Sequence, residues 1–478
     1  MKEQERPNSG SRPENRNAET GNRQSDSGQK RHEHSNSKKA SIVWHDESGT
    51  WYGLDNAATI MPALSDTVST SLFRIEFKVD HEIDKTILTM ALRRTGDRFP
   101  YFVVELRRGF FWYYLERHTQ SLLVHPDSES PCQNYNINKR GNALIRIRSE
   151  GNCIAGEFSH ALTDGSGGLR FMQTMVTEYF RLRGVKPGAL LDEGEYSGIY
   201  RIDDPPHPEE YEDAYNRHFT KALPSPDRGV PAFQIPPPKL TQHRFRVISG
   251  SVPLEALLAL AKSYRVSMTE LLAAIYLDAL QEIWLVAGKK AKKKWLLGVE
   301  IPVNMRKFYP TRSNRNFSLF VIVNQDMRLG KRNFDEIVER AHHQLRFEND
   351  ERSIARQMTR NVGGSRNLAV RLVPLFIKDF FAHILFSVMG ENLVSGFISN
   401  LGKVIMPPGP TAHIERIDFV PTPSPVTLTN AALLSWKDRV YINFGSLARS
   451  RELERLFFAR MRRLGLPVRI DCNLPGGQ

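Results

Sequence analysis

One stretch of the chain carries most of the information about its architecture: Ile154-Ala-Gly-Glu-Phe-Ser-His160-Ala-Leu-Thr-Asp164-Gly165-Ser-Gly-Gly-Leu169. Residues 153–159 are predicted to form a strand, and the strand is expected to end at His160. Asp164 and Gly165 are typical of a tight turn, and a helix is predicted to begin around Gly167 or Gly168. The stretch therefore predicts a strand, a turn and a helix, with a histidine where the strand ends.

The same stretch contains a spacing that suits acyl-transfer chemistry. His160, Asp164 and Gly165 form the pattern HxxxDG, for which about 0.05 chance matches are expected in a chain with 14 histidines. An alcohol is a poor nucleophile at pH 7, and a neutral imidazole can remove its proton as it attacks a thioester. Asp164 can fix the loop through an ion pair, and Gly165 allows backbone conformations that a Cβ excludes. The spacing alone leaves open a core histidine followed by an ordinary turn.

Strand and helix patterns alternate along the rest of the chain. Before the motif, the pattern predicts a strand at 73–79, a helix around 83–92, a hairpin turning at 107–109 and a strand at 143–148. The second half is predicted to open with a strand near Phe245 and a helix capped by Ser267, with Glu270 three residues later. It continues with strands at 295–301 and 319–323, a helix at 334–345, short strands near 396, 416, 432 and 440, and a helix at 453–464. The sum is an α/β protein in two halves.

Composition divides the chain into four segments. Residues 1 to about 40 are polar and nearly free of large apolar side chains, so a disordered tail is predicted over 1–45. Prolines between Asp203 and about Lys239 predict an irregular connection at 206–240. It would separate an N-terminal lobe at 46–205, which carries HxxxDG, from a C-terminal lobe at 241–478.

The motif and several other stretches resemble a known superfamily. Ser159-His160-Ala-Leu-Thr-Asp164-Gly165 resembles the HHxxxDG motif of chloramphenicol-acetyltransferase-like proteins, which include peptide-synthetase condensation domains, plant HxxxD acyltransferases and bacterial alcohol acetyltransferases. Stretches similar to bacterial alcohol acetyltransferase-like proteins are Trp51–Ala57, Phe99–Leu115, Ile301–Arg306, Arg315–Phe317, Ser399–Gly402 and Gly465–Ile470. The resemblance implies an α/β fold of two chloramphenicol-acetyltransferase-like lobes, each a mixed sheet flanked by helices, with an active-site tunnel between them.

The resemblance also implies roles for individual residues. His160 would be the catalytic base in the tunnel, with Asp164 and Gly165 beside it. Arg306 would pair with Asp164, and Asn316 would support the site; a solvated surface position for Arg306 stays open. Residues expected along the tunnel are Ser399, Asn400 and Gly402 on a crossover, and Asn443, which falls where some relatives carry the Asp of a DFG motif. For Ser399–Gly402, an ordinary strand turn stays open.

The activity that the resemblance implies is transfer of an acetyl or longer acyl group from acyl-CoA to an alcohol, which forms an ester. Ser159 occupies the first histidine position of HHxxxDG, which weakens the peptide-synthetase reading but retains the catalytic histidine. Three alternatives stay open: N-acylation of an amine, a carrier-protein-dependent condensation, and a catalytically inactive member that acts as a binding or scaffold protein.

Charge and composition bound the partners. The net charge of +13 favours anionic partners such as coenzyme A or a membrane surface. The cluster Lys289–Lys294 lacks interleaved aromatics, so no nucleic-acid partner is predicted. Acyl-CoA, or an acyl carrier protein, is the expected co-substrate, with no permanently bound cofactor and no metal. Cys132, Cys153 and Cys472 are expected to be reduced thiols.

The expected location is the cytoplasm. The chain opens without a secretory pattern, and its most apolar stretch, 372–398, is interrupted by proline and charged residues. That stretch is predicted to form a packed helix, although a membrane-dipping helix and peripheral membrane contact stay open. A monomer is expected.

Overall fold

The computed structural model describes residues 43–472 apart from 47–48, 66–70, 129, 133–134, 189–197, 220–222, 224–228, 237, 241–244, 367–371, 382–390 and 425. The predicted tail lies outside the described residues up to position 42. The first strand begins at Val43, three residues inside the segment predicted as tail. All three cysteines are reduced thiols, as expected from their spacing.

The described strands form three sheets. They are β1 (Val43–Asp46), β2 (Gly49–Gly53), β3 (Leu72–Val79), β4 (Val104–Arg108), β5 (Tyr113–Arg117), β6 (Val124–Pro126), β7 (Ile145–Glu150), β8 (Cys153–Ser159), β9 (Arg246–Pro253), β10 (Leu296–Asn304), β11 (Ser318–Asp326), β12 (Gly396–Lys403), β13 (Ile414–Val420), β14 (Thr429–Trp436), β15 (Arg439–Ser446) and β16 (Arg469–Cys472). Their orders are β1-β2-β5-β4, β13-β3-β8-β7-β6 and β11-β10-β12-β14-β15-β9-β16. Parallel pairs (β6 with β7, β10 with β12, β12 with β14) make the two larger sheets mixed.

Helices flank these sheets. The described α-helices include α1 (Met61–Leu64), α2 (Lys85–Arg98), α3 (Gly165–Leu182), α4 (Ala214–His218), α5 (Leu254–Ser263), α6 (Met268–Val286), α7 (Lys289–Lys292), α8 (Phe334–Glu348), α9 (Glu351–Arg366), α10 (Pro408–His413) and α11 (Glu452–Arg463), and residues 375–381 are also helical. The capping box predicted at Ser267 and Glu270 is confirmed at the start of α6. None of the described helices is both long and apolar enough to cross a bilayer.

Two hydrophobic cores account for the two halves. One buries α2 and α3 against the five-stranded sheet, with Phe73, Phe158 and Phe171 fully enclosed. The other buries α6, α8 and α11 against the seven-stranded sheet. The helices have one apolar face and the strands have apolar residues at alternate positions, so both bury apolar surface against each other. Each Å² of apolar surface removed from water stabilises the fold by about 25 cal/mol. The strands and helices predicted from the sequence are confirmed at most positions. The predicted hairpin is also present, but its turn lies at 109–112 and not at 107–109, because residues 107 and 108 still pair with β5.

One strand crosses from the second half to the first. β13 comes from the second half of the chain but pairs with β3 in the sheet of the first half, from Ile414 opposite Val79 to Val420 opposite Arg74. The region predicted as the connection also packs onto the first half, because the buried carboxylate of Glu210 receives two bonds of 2.8 Å from Arg98. The lobe boundaries at 46–205, 206–240 and 241–478 stay predictions.

The apolar stretch at 372–398 is not one packed helix, so that prediction is wrong for its described part. Residues 375–381 are helical, and residues 396–398 already belong to β12. Leu375 is buried, whereas Phe376, Phe380 and Phe381 are exposed. Residues 382–390 lie outside the described residues.

Candidate active site

His160 follows the last residue of β8, where the backbone leaves the sheet. Its N–H donates to the carbonyl of Ser71 at 3.0 Å, and its ring lies 4.8 Å from the ring of Phe73. The residue is partly buried, so one side of the imidazole contacts the core and part of its surface is accessible. Ser159, at the departure from HHxxxDG, is fully buried and accepts a bond from the N–H of Ala161 at 3.1 Å.

The surroundings keep the imidazole neutral. Burial lowers the pKa of His160 below its ordinary value of 6.5. The charge of Asp164, the side chain of Asn316 and the carbonyl of Thr163 favour the protonated form, but burial outweighs them. A neutral imidazole at pH 7 is the form that can accept a proton.

Asp164 is the N-cap of α3 and one half of a buried ion pair. Its Oδ1 accepts from the backbone N–H groups of Ser166 and Gly167, both at 3.1 Å. Its Oδ2 accepts from Arg306 Nη1 at 2.8 Å and from the N–H of Phe317 at 2.9 Å. These interactions hold the pKa of Asp164 below its usual value, with Arg306 the strongest of the favourable contributions, although burial opposes them. Both carboxylate oxygens therefore accept hydrogen bonds from the protein, and the carboxylate links α3 of the first half to Arg306 of the second.

Each of the three guanidinium nitrogens of Arg306 donates a hydrogen bond to the protein. Its Nε donates to the carbonyl of Ser313 at 3.0 Å, and its Nη2 to the carbonyl of Arg315 at 2.6 Å. The loop between β10 and β11 therefore wraps around the guanidinium. A planar guanidinium with five donors in a fixed fork suits this role better than a lysine ammonium.

Asn316 links His160 to a residue that the sequence reasoning missed. Its Nδ2 donates to the carbonyl of His160 and to Asp55 Oδ2, each at 2.9 Å. Its N–H also donates to Asp55 Oδ2, at 3.2 Å. Burial raises the pKa of the fully enclosed Asp55, although Arg315 and Asn316 favour its charged form. The only sequence signal for Asp55 was its place in the stretch Trp51–Ala57.

A second missed residue is Asn314. Its carbonyl accepts from the Thr163 hydroxyl at 2.5 Å, and its Oδ1 accepts from Arg170 at 3.0 Å. Its Nδ2 donates to the hydroxyls of Tyr101 at 2.9 Å and Tyr200 at 3.2 Å. Asn314 thereby fixes the turn between His160 and Asp164 from the other half of the chain. Nothing in the local sequence around residue 314 indicated this.

Two glycines of the motif allow close approach. A Cβ at Gly165 would lie 2.7 Å from Leu401 Cδ2, and one at Gly167 would lie 2.2 Å from the carbonyl oxygen of Asn314. Gly165 therefore permits contact with the crossover strand β12. Gly167 permits contact between the start of α3 and the β10–β11 loop.

The residues expected along the tunnel lie on two strands, with Ser399, Asn400 and Gly402 on β12 and Asn443 on β15. Asn400 and Gly402 flank Leu401, which contacts the Gly165 region; Asn400 Oδ1 accepts from the N–H of Gly402 at 2.8 Å, and Gly402 has a φ of +82°. Ser399 lies on β12 opposite Ala432 of β14. Asn443 is fully buried on β15 and bonds to Ser249 and to the carbonyl of Phe419. Its side chain thus links the seven-stranded sheet, through Ser249, to β13 of the five-stranded sheet.

The tunnel itself stays a prediction. One surface cavity, of about 540 Å³, is lined by Leu182 and Arg183 at the C-terminal end of α3, not by His160. The structure therefore brings together His160, Asp164, Gly165, Arg306 and Asn316, and leaves Ser399 and Asn443 without a described contact to them.

Comparison with solved structures identifies the fold. Over 87% of this chain and 98% of the other, the structure matches polyketide synthase associated protein 5 from Mycobacterium tuberculosis, with a TM-score of 0.56 and 14% identity. It matches the starter condensation domain of rhizomide synthetase, in complex with C8-CoA, over 87% of this chain and 94% of that chain, with a TM-score of 0.53 and 14% identity. It matches trichothecene 15-O-acetyltransferase from Fusarium sporotrichioides over 89% and 98%, with a TM-score of 0.54 and 12% identity.

The chain therefore has the two-lobed mixed α/β fold that condensation domains and CoA-dependent acyltransferases share, as the sequence resemblance implied. No protein-family profile matches the sequence, and no curated protein matches it.

Proposed function

We propose that this protein is an acyltransferase that moves an acetyl or longer acyl group from acyl-CoA to an alcohol, with His160 as general base. The observation that carries the proposal is the state of His160: a partly accessible imidazole, kept neutral by burial. The carbonyl of this residue is fixed by Asn316, while the nearby Asp164 is occupied by Arg306.

The chemistry follows from that arrangement. His160 takes the proton of the alcohol as its oxygen attacks the thioester carbonyl, which gives a tetrahedral oxyanion and an imidazolium. Collapse of the intermediate breaks the C–S bond, and the imidazolium returns the proton to the leaving thiolate. One ester and one free thiol result, and His160 ends neutral. Asp164 touches neither substrate; it holds the turn.

Acyl-CoA is proposed as donor because a solved structure of the same fold is complexed with C8-CoA and another with coenzyme A. No permanently bound cofactor takes part in this proposal. An amine acceptor and a carrier-protein donor remain alternatives, because the same base would serve them. A catalytically inactive binding protein is the remaining alternative, and Ser159 and Asn443 motivate it.

Product identification tests the proposal and separates these alternatives. Wild type would be incubated with acetyl-CoA or longer acyl-CoAs and panels of alcohols and amines, and the products identified by mass spectrometry. We expect esters, lost with His160→Ala and retained with His343→Ala, a change at an exposed histidine of α8. Amides alone would favour N-acylation. Product only from a carrier-loaded acyl group would favour the condensation alternative.

We also propose that the protein contacts a membrane surface through an aromatic patch made of Phe110, Trp112, Phe376, Phe380 and Phe381. Each of these side chains is between 58% and 67% exposed. The two segments that carry them contact each other, because the N–H of Leu375 donates to the carbonyl of Phe110 at 2.8 Å. A cluster of exposed apolar side chains is unusual for a monomer. Bulky aromatic side chains are typical of segments that lie in a lipid interface.

The helix at 375–381 supplies three of the five patch residues, and its polar side chains face the protein. Asp379 Oδ2 accepts from Arg108 Nη2 and from the Tyr113 hydroxyl, both at 2.9 Å. Lys378 Nζ donates to the carbonyl of Phe111 at 2.8 Å. The polar side chains thus bind the hairpin while the aromatic ones face outward. The net charge of +13 complements an anionic leaflet.

Vesicle sedimentation tests the contact. We expect wild type to sediment with phosphatidylcholine vesicles that contain phosphatidylserine, and the double variant Phe376→Ser/Phe380→Ser to remain in the supernatant. Phe347→Ser, at an exposed phenylalanine of α8, is the matched control and should sediment like wild type. Equal sedimentation of the double variant would reject the aromatic patch as the contact.

A further inference from the structure

A second cluster of reactive side chains lies far from His160, where β3 and α10 end together. It consists of Asp80, His81 and His413, each of which offers one ligand atom within 4.8 Å of the others. His81 Nδ1 lies 2.6 Å from Asp80 Oδ1, and His413 Nδ1 lies 2.9 Å from Asp80 Oδ2. The two imidazoles thus approach one carboxylate from opposite halves of the chain.

Both imidazoles are held by aromatic side chains of α3. The His81 ring stacks on Tyr179, with centroids 6.1 Å apart and planes inclined by 8°. The His413 ring stacks on Phe180 at 5.5 Å and 20°. A backbone bond of 3.0 Å from Asp80 N to the carbonyl of His413 fixes the two segments to each other. The ligand atoms come from two segments, the residues after β3 and the end of α10, and aromatic side chains of α3 hold both imidazoles in place.

We propose that Asp80, His81 and His413 bind one divalent transition metal ion of the class that prefers imidazole and carboxylate, with Zn²⁺ as the representative. Two imidazole nitrogens and one carboxylate oxygen are a common set for zinc, and leave a fourth position for water. The side chains are 22–42% exposed, so water and the ion can reach them. A cavity of about 540 Å³, lined in part by Glu82, opens beside them.

The geometry requires small movements. Ligands about 2.0–2.1 Å from a tetrahedral zinc lie about 3.3 Å apart, whereas the two nitrogen–oxygen distances here are 2.6 Å and 2.9 Å. These are hydrogen-bond lengths, with a proton between each pair. The two distances end on different oxygens of Asp80, and the three ligand atoms lie within 4.8 Å of one another. Gathering both nitrogens and one oxygen around an ion therefore requires side-chain shifts of up to about 1.5 Å, which partly exposed side chains can accommodate.

The remaining ring proton of His81 would have a hydrogen-bond acceptor if the ring bound a metal ion. If Nδ1 binds the metal, the neutral ring carries its proton on Nε2, which lies 3.2 Å from the Tyr179 hydroxyl. Such an outer hydrogen bond fixes the tautomer of a metal-binding histidine. The same hydroxyl oxygen accepts from Asp84 N at 3.2 Å and from Arg183 at 3.1 Å. Because it has two acceptor positions, the exposed Arg183 would release its bond.

The site is independent of the proposed catalysis. α3 has Asp164 at its first end and Tyr179 and Phe180 near its last, and 18 residues at about 1.5 Å each separate these ends by about 27 Å. The ion would fasten β3, α3 and α10 to one another. It would stabilise the fold and take no part in acyl transfer, so the proposal stands or falls apart from the proposed function.

Metal content measured by equilibrium dialysis against Zn²⁺, with the full-length chain, tests the proposal. We expect one ion per chain for wild type, with a raised melting temperature. His81→Gln and His413→Gln should each weaken binding at least 10-fold and abolish the rise in melting temperature. His343→Gln, at a surface histidine 3.9 Å from Glu339, is the matched control. His32→Gln/His34→Gln tests the histidines of the N-terminal segment.

The outcomes are distinguishable. Binding that survives in both His81→Gln and His413→Gln, or that disappears in His32→Gln/His34→Gln, would place the ion elsewhere and overturn the proposal. Absence of binding by folded wild type would overturn it as well. Acyltransferase activity does not enter the test, so its failure would leave this result unchanged.

Discussion

Replacement of Asp164 by alanine removes the carboxylate that joins the two halves of the site. Arg306 and Asp164 have side chains only 7% and 9% exposed, and removal of one partner of such a buried pair costs about 3–5 kcal/mol. Loss of the N-cap of α3, which bonds Ser166 and Gly167, adds about 1 kcal/mol. We therefore expect Asp164→Ala to lower the free energy of unfolding by about 4–6 kcal/mol.

Related variants separate the two contributions. Asp164→Asn keeps an oxygen for the N-cap but leaves the Arg306 charge uncompensated, so about 1 kcal/mol of the loss should be recovered. In Asp164→Ala/Arg306→Ala the loss should be smaller than the sum of the single losses, by about 2–3 kcal/mol, because no buried charge is left alone. Arg455→Ala breaks an exposed pair with Glu452 on α11 and should leave the unfolding transition where it is in wild type.

Urea unfolding at pH 7, followed by tryptophan fluorescence and circular dichroism, measures these free energies. Thiol release from acyl-CoA would be measured on the fraction that is folded. If Asp164→Ala lies within about 1 kcal/mol of wild type, the ion pair does not hold the fold, and the role given to Asp164 is refuted. Additive losses in the double variant would likewise show that the two side chains do not interact.

Three further predictions concern the surroundings of His160. Because burial lowers the pKa of His160, the acid limb of a plot of kcat/KM against pH should lie below pH 6.5. The free energy of unfolding should decrease as the pH drops below 6.5, because the unfolded chain then binds a proton at His160 that the folded protein does not. An acid limb above pH 6.5 would contradict the burial of this imidazole. Asp55→Asn should lower kcat on the order of 10-fold with little change in KM. The new amide nitrogen would face either the N–H of Ala58, which donates to Asp55 Oδ1 at 2.9 Å, or the two donors of Asn316, which donate to Oδ2. An unchanged kcat would remove Asp55 from the site. Gly167→Ala should lower the free energy of unfolding in urea by about 1–3 kcal/mol, because the new Cβ would meet the carbonyl of Asn314. Gly53→Ala should leave it unchanged, because no atom lies within 4 Å of a Cβ there. Equal stability of both variants would contradict the close contact at Gly167.

The local part of the site could be predicted from the sequence because it depends on neighbours along the chain. The alternation in β8, the Asp-Gly turn and the helical spacing of α3 are short-range features, and together they put His160 at the end of a strand. The contact between Asp164 and Arg306 spans 142 positions. It was expected only from the resemblance of Pro302–Arg306 to a family motif.

Other features depend on long-range packing and had no local signal. Asn314 and Asp55 reach the site from loops, and their residue types are common in turns. β13 leaves the second half and pairs with β3, which no residue of β13 reveals by itself. Asp80 and His413 are 333 positions apart, so spacing rules for metal sites do not apply to them. The sequence also did not predict that the aromatic side chains of residues 375–381 are exposed, because an apolar composition predicts burial.

Acceptor-dependent release of free thiol, measured at saturating acyl-CoA, tests the central claim about His160 most directly. We expect wild type to release one thiol per ester formed, and His160→Ala to be slower by about 10²–10⁴-fold while it unfolds at the same urea concentration as wild type. A folded His160→Ala variant that forms ester at the wild-type rate would contradict the assignment of His160 as the general base.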